Sequence, residues 1–184
     1  GIINYKKFCT VLAQKIEAGD GQILTGQKVN FITPSREKVN IETVQGIEIE
    51  ASKVINCAGL YSDIIAEKGG SKSEMKIIPF RGEYYELNDN SQGLVNNLIY
   101  PVPDPNFPFL GVHFTRMIDG GIECGPNAVL AFAREGYKKL KVNPNELIES
   151  LTYPGFIKLA SKYWKTGLGE IWRSFSKKAF VKAL

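Results

Sequence analysis

The sequence predicts a two-lobed chain of mixed α/β and α+β class. A first lobe strings together a helix, a β-meander, a further strand and a short helix, and a mainly antiparallel sheet lobe follows and ends in helices. Three observations carry that reading. Apolar residues recur at helical spacing near both ends of the 184 residues, the stretches between them alternate as strands do, and a Gly/Ser/Lys run at residues 69–74 separates the two patterns. With 43% hydrophobic and 11% aromatic residues, the chain has the apolar surface for a core.

Within the first lobe, residues 1–74, Asn4 is placed to cap a helix whose apolar positions are Tyr5, Phe8, Leu12 and Ile16, with Gly19 placed to close it. Residues 21–25 and 28–33 are short and rich in β-branched side chains and read as strands. Residues 39–44 and 47–50 flank Gln45-Gly46 and predict a hairpin that buries Val39, Ile41 and Thr43 with Ile47, Ile49 and Ala51. A strand over 53–57 then runs into Ala58-Gly59, and a helix over 61–68 follows.

The second lobe, residues 75–184, opens as a sheet region to residue 137, with strands over 77–87, 98–102, 109–114 and 121–124. Pro101, Pro103, Pro105 and Pro108 interrupt the ladder and shape a loop, because proline cannot donate to a central strand. Helices occupy 143–184. Asn143, Pro144 and Glu146 stand at cap, first-turn and third-turn positions, ahead of the stripe Leu147, Ile148 and Leu151. A later stripe joins Leu168, Ile171, Trp172, Phe175, Ala179 and Ala183, and Trp164, Trp172 and Phe175 read as helical core.

Composition excludes several functions. The 23 basic and 19 acidic residues leave a net charge of +4, and scattered lysines make no nucleic-acid face, although the balance suits a small anionic substrate. Lys158, Lys162, Lys165, Arg173, Lys177, Lys178 and Lys182 read as solvated helix faces, with a membrane-surface or anionic-partner role as the alternative. One histidine and three widely spaced cysteines, Cys9, Cys57 and Cys124, make neither a zinc site nor a disulfide framework, so no metal is expected and the compartment reads as reducing. No run approaches the roughly 20 apolar residues of a membrane span. The expected location is cytoplasmic, with peripheral contact at an inner membrane as the alternative. The chain opens at Gly1 close to a helical pattern and ends at Leu184 inside another, so both edges are expected to lie inside a longer protein.

The most informative stretch of the first lobe is Val54-Ile55-Asn56-Cys57-Ala58-Gly59-Leu60-Tyr61-Ser62-Asp63. An apolar strand ending in small residues and opening a helix brings backbone amides close to a ligand and suits a dinucleotide. The same residues also read as a plain strand-to-helix turn. This stretch resembles the second FAD-contacting strand-turn of the D-amino-acid-oxidase-like superfamily. The chain is more specifically similar to the L-2-hydroxyglutarate oxidase/dehydrogenase family. That likeness rests on Ile78-Pro79-Phe80-Arg81-Gly82-Glu83-Tyr84-Tyr85, Leu98-Ile99-Tyr100-Pro101-Val102-Pro103-Asp104-Pro105, the run from Phe109 through Gly111-Val112-His113-Phe114-Thr115-Arg116 to Gly120, and the run from Gly125-Pro126-Asn127 to Tyr137.

The resemblance implies a partial FAD-binding lobe followed by a substrate lobe. It implies non-covalently bound FAD and oxidation of L-2-hydroxyglutarate or a related 2-hydroxy acid to the 2-oxo acid by hydride transfer to the flavin. An amino-acid or glycerol-phosphate oxidoreductase, and a non-catalytic substrate-binding domain, are the alternatives. The chain departs from the family pattern in lacking the G-x-G-x-x-G turn of the first strand and a late flavin-facing loop. It therefore reads as the middle portion of such an enzyme, supplying the substrate lobe and one edge of the FAD site.

By the same resemblance, Val29 offers its backbone to the adenine end, and Cys57, Ala58, Gly59 and Ser62 lie near the ribose and pyrophosphate. On the residues alone, Val29 reads first as a strand residue, and Cys57 also reads as a buried small hydrophobe. The chemistry needs cations for two carboxylates and a base for the hydroxyl proton. Arg116 and Arg81 suit carboxylates through their planar forks, and His113, the single imidazole, is the natural base. Tyr85 and Tyr100 are candidates to close the pocket, and Asn127 to support it. The plainer alternatives are a structural histidine, an Arg81–Glu83 salt bridge, aromatic core residues and an asparagine turn.

Overall fold

A computed structural model describes residues 1–72, 74–103 and 111–184. They divide into two units, Tyr5–Ile77 and Ile78–Leu184 together with Gly1–Asn4. The segment carrying Asp104, Pro105, Pro108 and Phe109, and Ser73, lie outside the described residues.

In the first unit, helix α1 covers Tyr5–Ala18, and strands β1 (Val29–Pro34), β2 (Val39–Thr43) and β3 (Glu48–Ala51) form a meander in sequence order. Its register pairs Val39 with Ala51 and Ile41 with Ile49, the inward set expected from the alternation. Gly46, at φ +82°, makes the turn that a residue with a Cβ resists. Buried Thr43 locks the turn, since its hydroxyl accepts from the Ile47 amide at 3.0 Å and donates to Gln27 at 3.0 Å. A 3-10 turn, Gly59–Tyr61, leads into α2, Ser62–Lys68, which is tied to the sheet by Lys68 Nζ donating to the Asn30 carbonyl.

The strands expected over 21–25 and 53–57 do not form in this unit, and the apolar face of α1 is left exposed. Residues 21–25 form no strand. Instead α1 closes through Asp20 in the left-handed region (φ +60°), not through Gly19, and Gly21 folds back so tightly that a Cβ there would lie 2.6 Å from Ile16 Cγ2. Residues 53–57 have no ladder partner among the described residues, and Ile55 is 86% exposed. The stripe on α1 forms as predicted, but Tyr5, Phe8, Leu12 and Ile16 are all exposed. A helical period specifies which face is apolar, and other elements must supply its cover.

The second unit is a sheet of β4 (Phe80–Glu86), β5 (His113–Arg116) and β6 (Ile122–Leu130) in the antiparallel order β4-β6-β5. The strand expected over 98–102 reduces to a single bridge, Ile99 to Phe114, which brings that stretch alongside β5. Strand β6 runs well past residue 124. Gly125-Pro126 reads locally as a breaker, but here it sits opposite Tyr84 as a bulge, where the register of β4 on β6 shifts.

Helices α3 (Pro144–Thr152), α4 (Pro154–Phe175) and α5 (Lys177–Ala183) follow. Asn143 Oδ1 accepts from the Asn145 and Glu146 amides at 3.2 and 3.4 Å, the expected cap. The Glu146 carboxylate does not close a capping box. It accepts from the Arg134 amide at 2.7 Å instead. The later apolar stripe is cut at Ser176, whose side chain caps α5 at the Ala179 amide. Trp164, Trp172 and Phe175, expected in the core, are 56%, 66% and 79% exposed. The helix turns Glu170 and Ser174 inward, because the strand beneath presents the polar Asn127. The apolar core is Val95, Ile122, Cys124, Val129, Ala131, Ala133 and Phe180. Phe180 is fully enclosed, meets Tyr85 at 4.6 Å between ring centroids, and contributes about 1.5–3 kcal/mol by burial. Among the described residues no helix is long and apolar enough to cross a membrane, and no cluster of His, Cys, Asp and Glu is set to hold a metal.

Candidate functional site

The sheet of the second unit has two differently furnished faces. Strand alternation and the register put Tyr84, Gly125, His113 and Tyr100 in a row on the face turned away from Asn127, because Gly125 stands opposite His113 and the Ile99–Phe114 bridge sets Tyr100 beside His113. His113 is buried at 8% exposure and stacks on Tyr100, with ring centroids 4.3 Å apart and planes 21° from parallel. The Tyr100 hydroxyl lies 3.4 Å from Thr115 Oγ1, so Thr115 belongs to the same face.

His113 Nδ1 is 3.0 Å from the Gly111 carbonyl. A carbonyl oxygen only accepts, so Nδ1 carries the proton and neutral His113 keeps its lone pair on Nε2. One ring nitrogen is thus committed to the backbone and the other is chemically a base.

Tyr84 is the residue that sequence reasoning missed, having singled out its neighbour Tyr85. Its ring lies over two glycines: a Cβ on Gly125 would meet Tyr84 Cδ1 at 2.6 Å, and one on Gly82 would meet Tyr84 Cε2 at 3.1 Å. Burial, then the charge of Glu123 and the neighbouring Tyr100, push the Tyr84 phenol above its ordinary value of 10.0, so at neutral pH it is a donor.

The opposite face is closed by helices. Asn127 is fully buried, donates to the Glu170 carbonyl at 2.8 Å and accepts from Arg173 Nε at 3.1 Å. Glu170 itself pairs with Arg173 and accepts from the Ala128 amide at 3.0 Å. Arg81 binds Glu83 through Nη2 at 2.8 Å and the Gly136 carbonyl through Nη1 at 3.2 Å. Desolvation pulls the Glu83 carboxyl upward, but hydrogen bonds from Ser174 and Arg81 with the charges of Lys139 and Arg81 outweigh it and leave the group below its ordinary 4.5. Tyr85 packs on Phe180, with the Lys177 ammonium 5.9 Å from its ring centre.

Arg116 ends β5 three residues after His113, so alternation sends the two side chains to opposite faces. Its Nη1 donates to the Asn96 carbonyl at 3.2 Å, and it lines a cleft of about 380 Å³ with Gly1, Ile2 and Asn96 to Leu98. The structure therefore unites His113 with Tyr100, places Arg116 in a separate cleft, and engages Arg81, Tyr85 and Asn127 beneath the sheet.

In the first unit, Cys57, Ala58, Gly59 and Ser62 form one turn, stapled by Asn56. Its Oδ1 accepts from the Ala58 amide at 3.1 Å and its Nδ2 donates to the Ser62 carbonyl at 2.8 Å. Gly59 has φ +55°, and nothing lies within 4 Å of where its Cβ would be. Cys57 is exposed, while the Asp63 carboxylate is turned inward onto the Ile64 and Ile77 amides. An open, side-chain-free approach to backbone fits one edge of a dinucleotide. Val29 is half-buried at the start of β1.

A family described as FAD dependent oxidoreductase matches residues 1–175. The chain belongs to this family. It is 57% identical over 185 residues to the L-2-hydroxyglutarate dehydrogenase of Indibacter alkaliphilus, a match covering 100% of this chain and 46% of that protein. It is 40% identical over 182 residues to the Escherichia coli K12 protein of the same name, covering 99% and 43%. It is 40% identical over 195 residues to the human mitochondrial L-2-hydroxyglutarate dehydrogenase, covering 100% and 42%. The family resemblance read from the motifs is thereby borne out, and the chain spans less than half the length of these relatives.

Proposed function

We propose that the chain is the central portion of an FAD-dependent enzyme that oxidises L-2-hydroxyglutarate, or a close 2-hydroxy acid, to the 2-oxo acid. The observation that carries the proposal is the 3.0 Å contact between His113 Nδ1 and the Gly111 carbonyl. The Gly111 carbonyl takes Nδ1–H and Tyr100 holds the ring by stacking, which leaves Nε2 to accept the substrate hydroxyl proton. FAD, when bound, supplies the acceptor for the hydride leaving C2. The substrate class is supported by the names of the relatives.

In this reading, Val29 and the turn Cys57-Ala58-Gly59 with Ser62 hold one edge of FAD through backbone. Arg116, in its separate cleft with Asn96 to Leu98, contributes positive charge that attracts the dianion rather than a seat beside His113. Arg81, Tyr85 and Asn127 serve the pocket from below by fixing β4 and β6 to each other and to the helices. Its partner is a small anion, with no nucleic acid, and peripheral membrane contact remains part of the proposal.

A second reading, a substrate lobe that holds no cofactor by itself, draws on the bare apolar face of α1 and the unladdered residues 53–57. Adding FAD to the 184-residue chain and recording its visible spectrum after desalting separates the two: retained flavin absorbance excludes the second. In the protein at the length of its relatives, FAD should bleach anaerobically with L-2-hydroxyglutarate. Bleaching instead with an amino acid or glycerol phosphate would replace the substrate assignment.

A further inference from the structure

We propose that Tyr84 is a substrate-contacting residue whose phenol donates a hydrogen bond to a carboxylate seated beside His113. The inference rests on the proposed 2-hydroxy acid reading and deepens it. Tyr84 lies on the face that carries His113, Tyr100 and Thr115, and its strand position is separated from that of His113 only by Gly125 on the intervening strand. Strands lie about 4.8 Å apart, so this spacing spans about 10 Å, the scale of a five-carbon dicarboxylate with its hydrogen-bonding partners.

The seat for this ring is built. A Cβ on Gly82 would crowd the ring at 3.1 Å and one on Gly125 would collide with it, and the collision at Gly125 includes the Glu83 carbonyl at 2.8 Å, a backbone atom that cannot swing aside. The ring sits against two glycines on a strand, and Tyr84 stays 48% exposed, so the residue is open to a ligand as well as packed. Its neighbours on the face are polar or ionisable: Tyr100, Glu123 and, at the far end, Glu86 opposite Glu123. The two carboxylates make that end hostile to an anion, so a substrate carboxylate is directed toward the phenols and His113. Burial raises the pKa of the Tyr84 phenol, so the group stays protonated and donating throughout the neutral range.

The test uses the flavin-loaded protein at the length of its relatives, with Tyr84→Phe, which keeps the ring in its seat. Loss of one hydrogen bond to a charged group should raise the apparent KM for L-2-hydroxyglutarate by about tenfold or more. It should weaken glutarate, read by perturbation of the flavin spectrum, by a similar factor, with the melting temperature unchanged. If wild type is reduced by L-2-hydroxyglutarate and Tyr84→Phe binds glutarate as tightly as wild type, the Tyr84 proposal is overturned while the substrate reading stands. If wild type is not reduced at all, the substrate reading has failed, and the Tyr84 proposal with it.

Discussion

Truncating Asn127 to alanine tests how the sheet is held. The side chain is fully buried and makes two hydrogen bonds, at 2.8 Å to the Glu170 carbonyl and 3.1 Å from Arg173 Nε. Each buried partner left unpaired costs about 1–3 kcal/mol. Arg173 is 24% exposed, so water recovers part of its donor, and the expected loss is about 2–4 kcal/mol. With a urea slope of about 2 kcal/mol/M, the midpoint should fall by about 1–2 M. Both tryptophans, Trp164 and Trp172, lie in α4, so their fluorescence reports this unit without contribution from the first. A midpoint within about 0.3 M of wild type, at unchanged slope, would refute the claim that Asn127 clamps β6 to α4.

Four further outcomes follow from the same geometry. Glu83 has a folded-state pKa below its ordinary 4.5, so its stabilising contribution is present above that value and lost as pH falls through the folded one. Glu83→Gln should therefore be less stable than wild type at pH 7, with the gap narrowing below about pH 4 in acid titrations. Ser176→Ala removes the α5 cap at Ala179 and should cost about 1 kcal/mol by urea denaturation. Cys9 and Cys57 are exposed, whereas burial pushes the Cys124 thiol up, so a thiol reagent should label two cysteines in the folded chain and the third only on unfolding. Arg116→Ala, in the protein at the length of its relatives, should raise the apparent substrate constant by only about two- to threefold, and only at low salt, and a rise of about tenfold or more would instead give it a direct carboxylate contact.

What could be read from sequence was what short-range chemistry decides. The Gln45-Gly46 hairpin with its Val39/Ile41 face, and the Asn143-Pro144 start of α3, depend on residues within a few positions of one another. Elements that needed a distant partner were misjudged. Residues 53–57 have strand composition but no ladder partner among the described residues, and Gly125-Pro126 reads as a stop although pairing on both sides carries β6 through it. On α4 the pattern pointed Trp164 and Trp172 inward, while the structure turns Glu170 inward to meet Asn127, a polar demand on another element that periodicity cannot see.

The candidate site was legible in part for the same reason. His113 and Tyr100 stood out by type, and the structure stacks them. Choosing between Tyr84 and Tyr85 needed the register, which a one-residue shift inverts. The opposite facing of His113 and Arg116 follows from their three-residue spacing once β5 is known to span both.

The central claim is that His113, fixed through Nδ1, takes the hydroxyl proton of a 2-hydroxy acid. The most direct measurement is anaerobic stopped-flow reduction of the bound flavin by L-2-hydroxyglutarate, in wild type and His113→Asn at the length of the relatives. The account predicts rapid bleaching in wild type and a rate lower by about a hundredfold or more in the variant, with the resting flavin spectrum unchanged. Equal rates in the two proteins would contradict it.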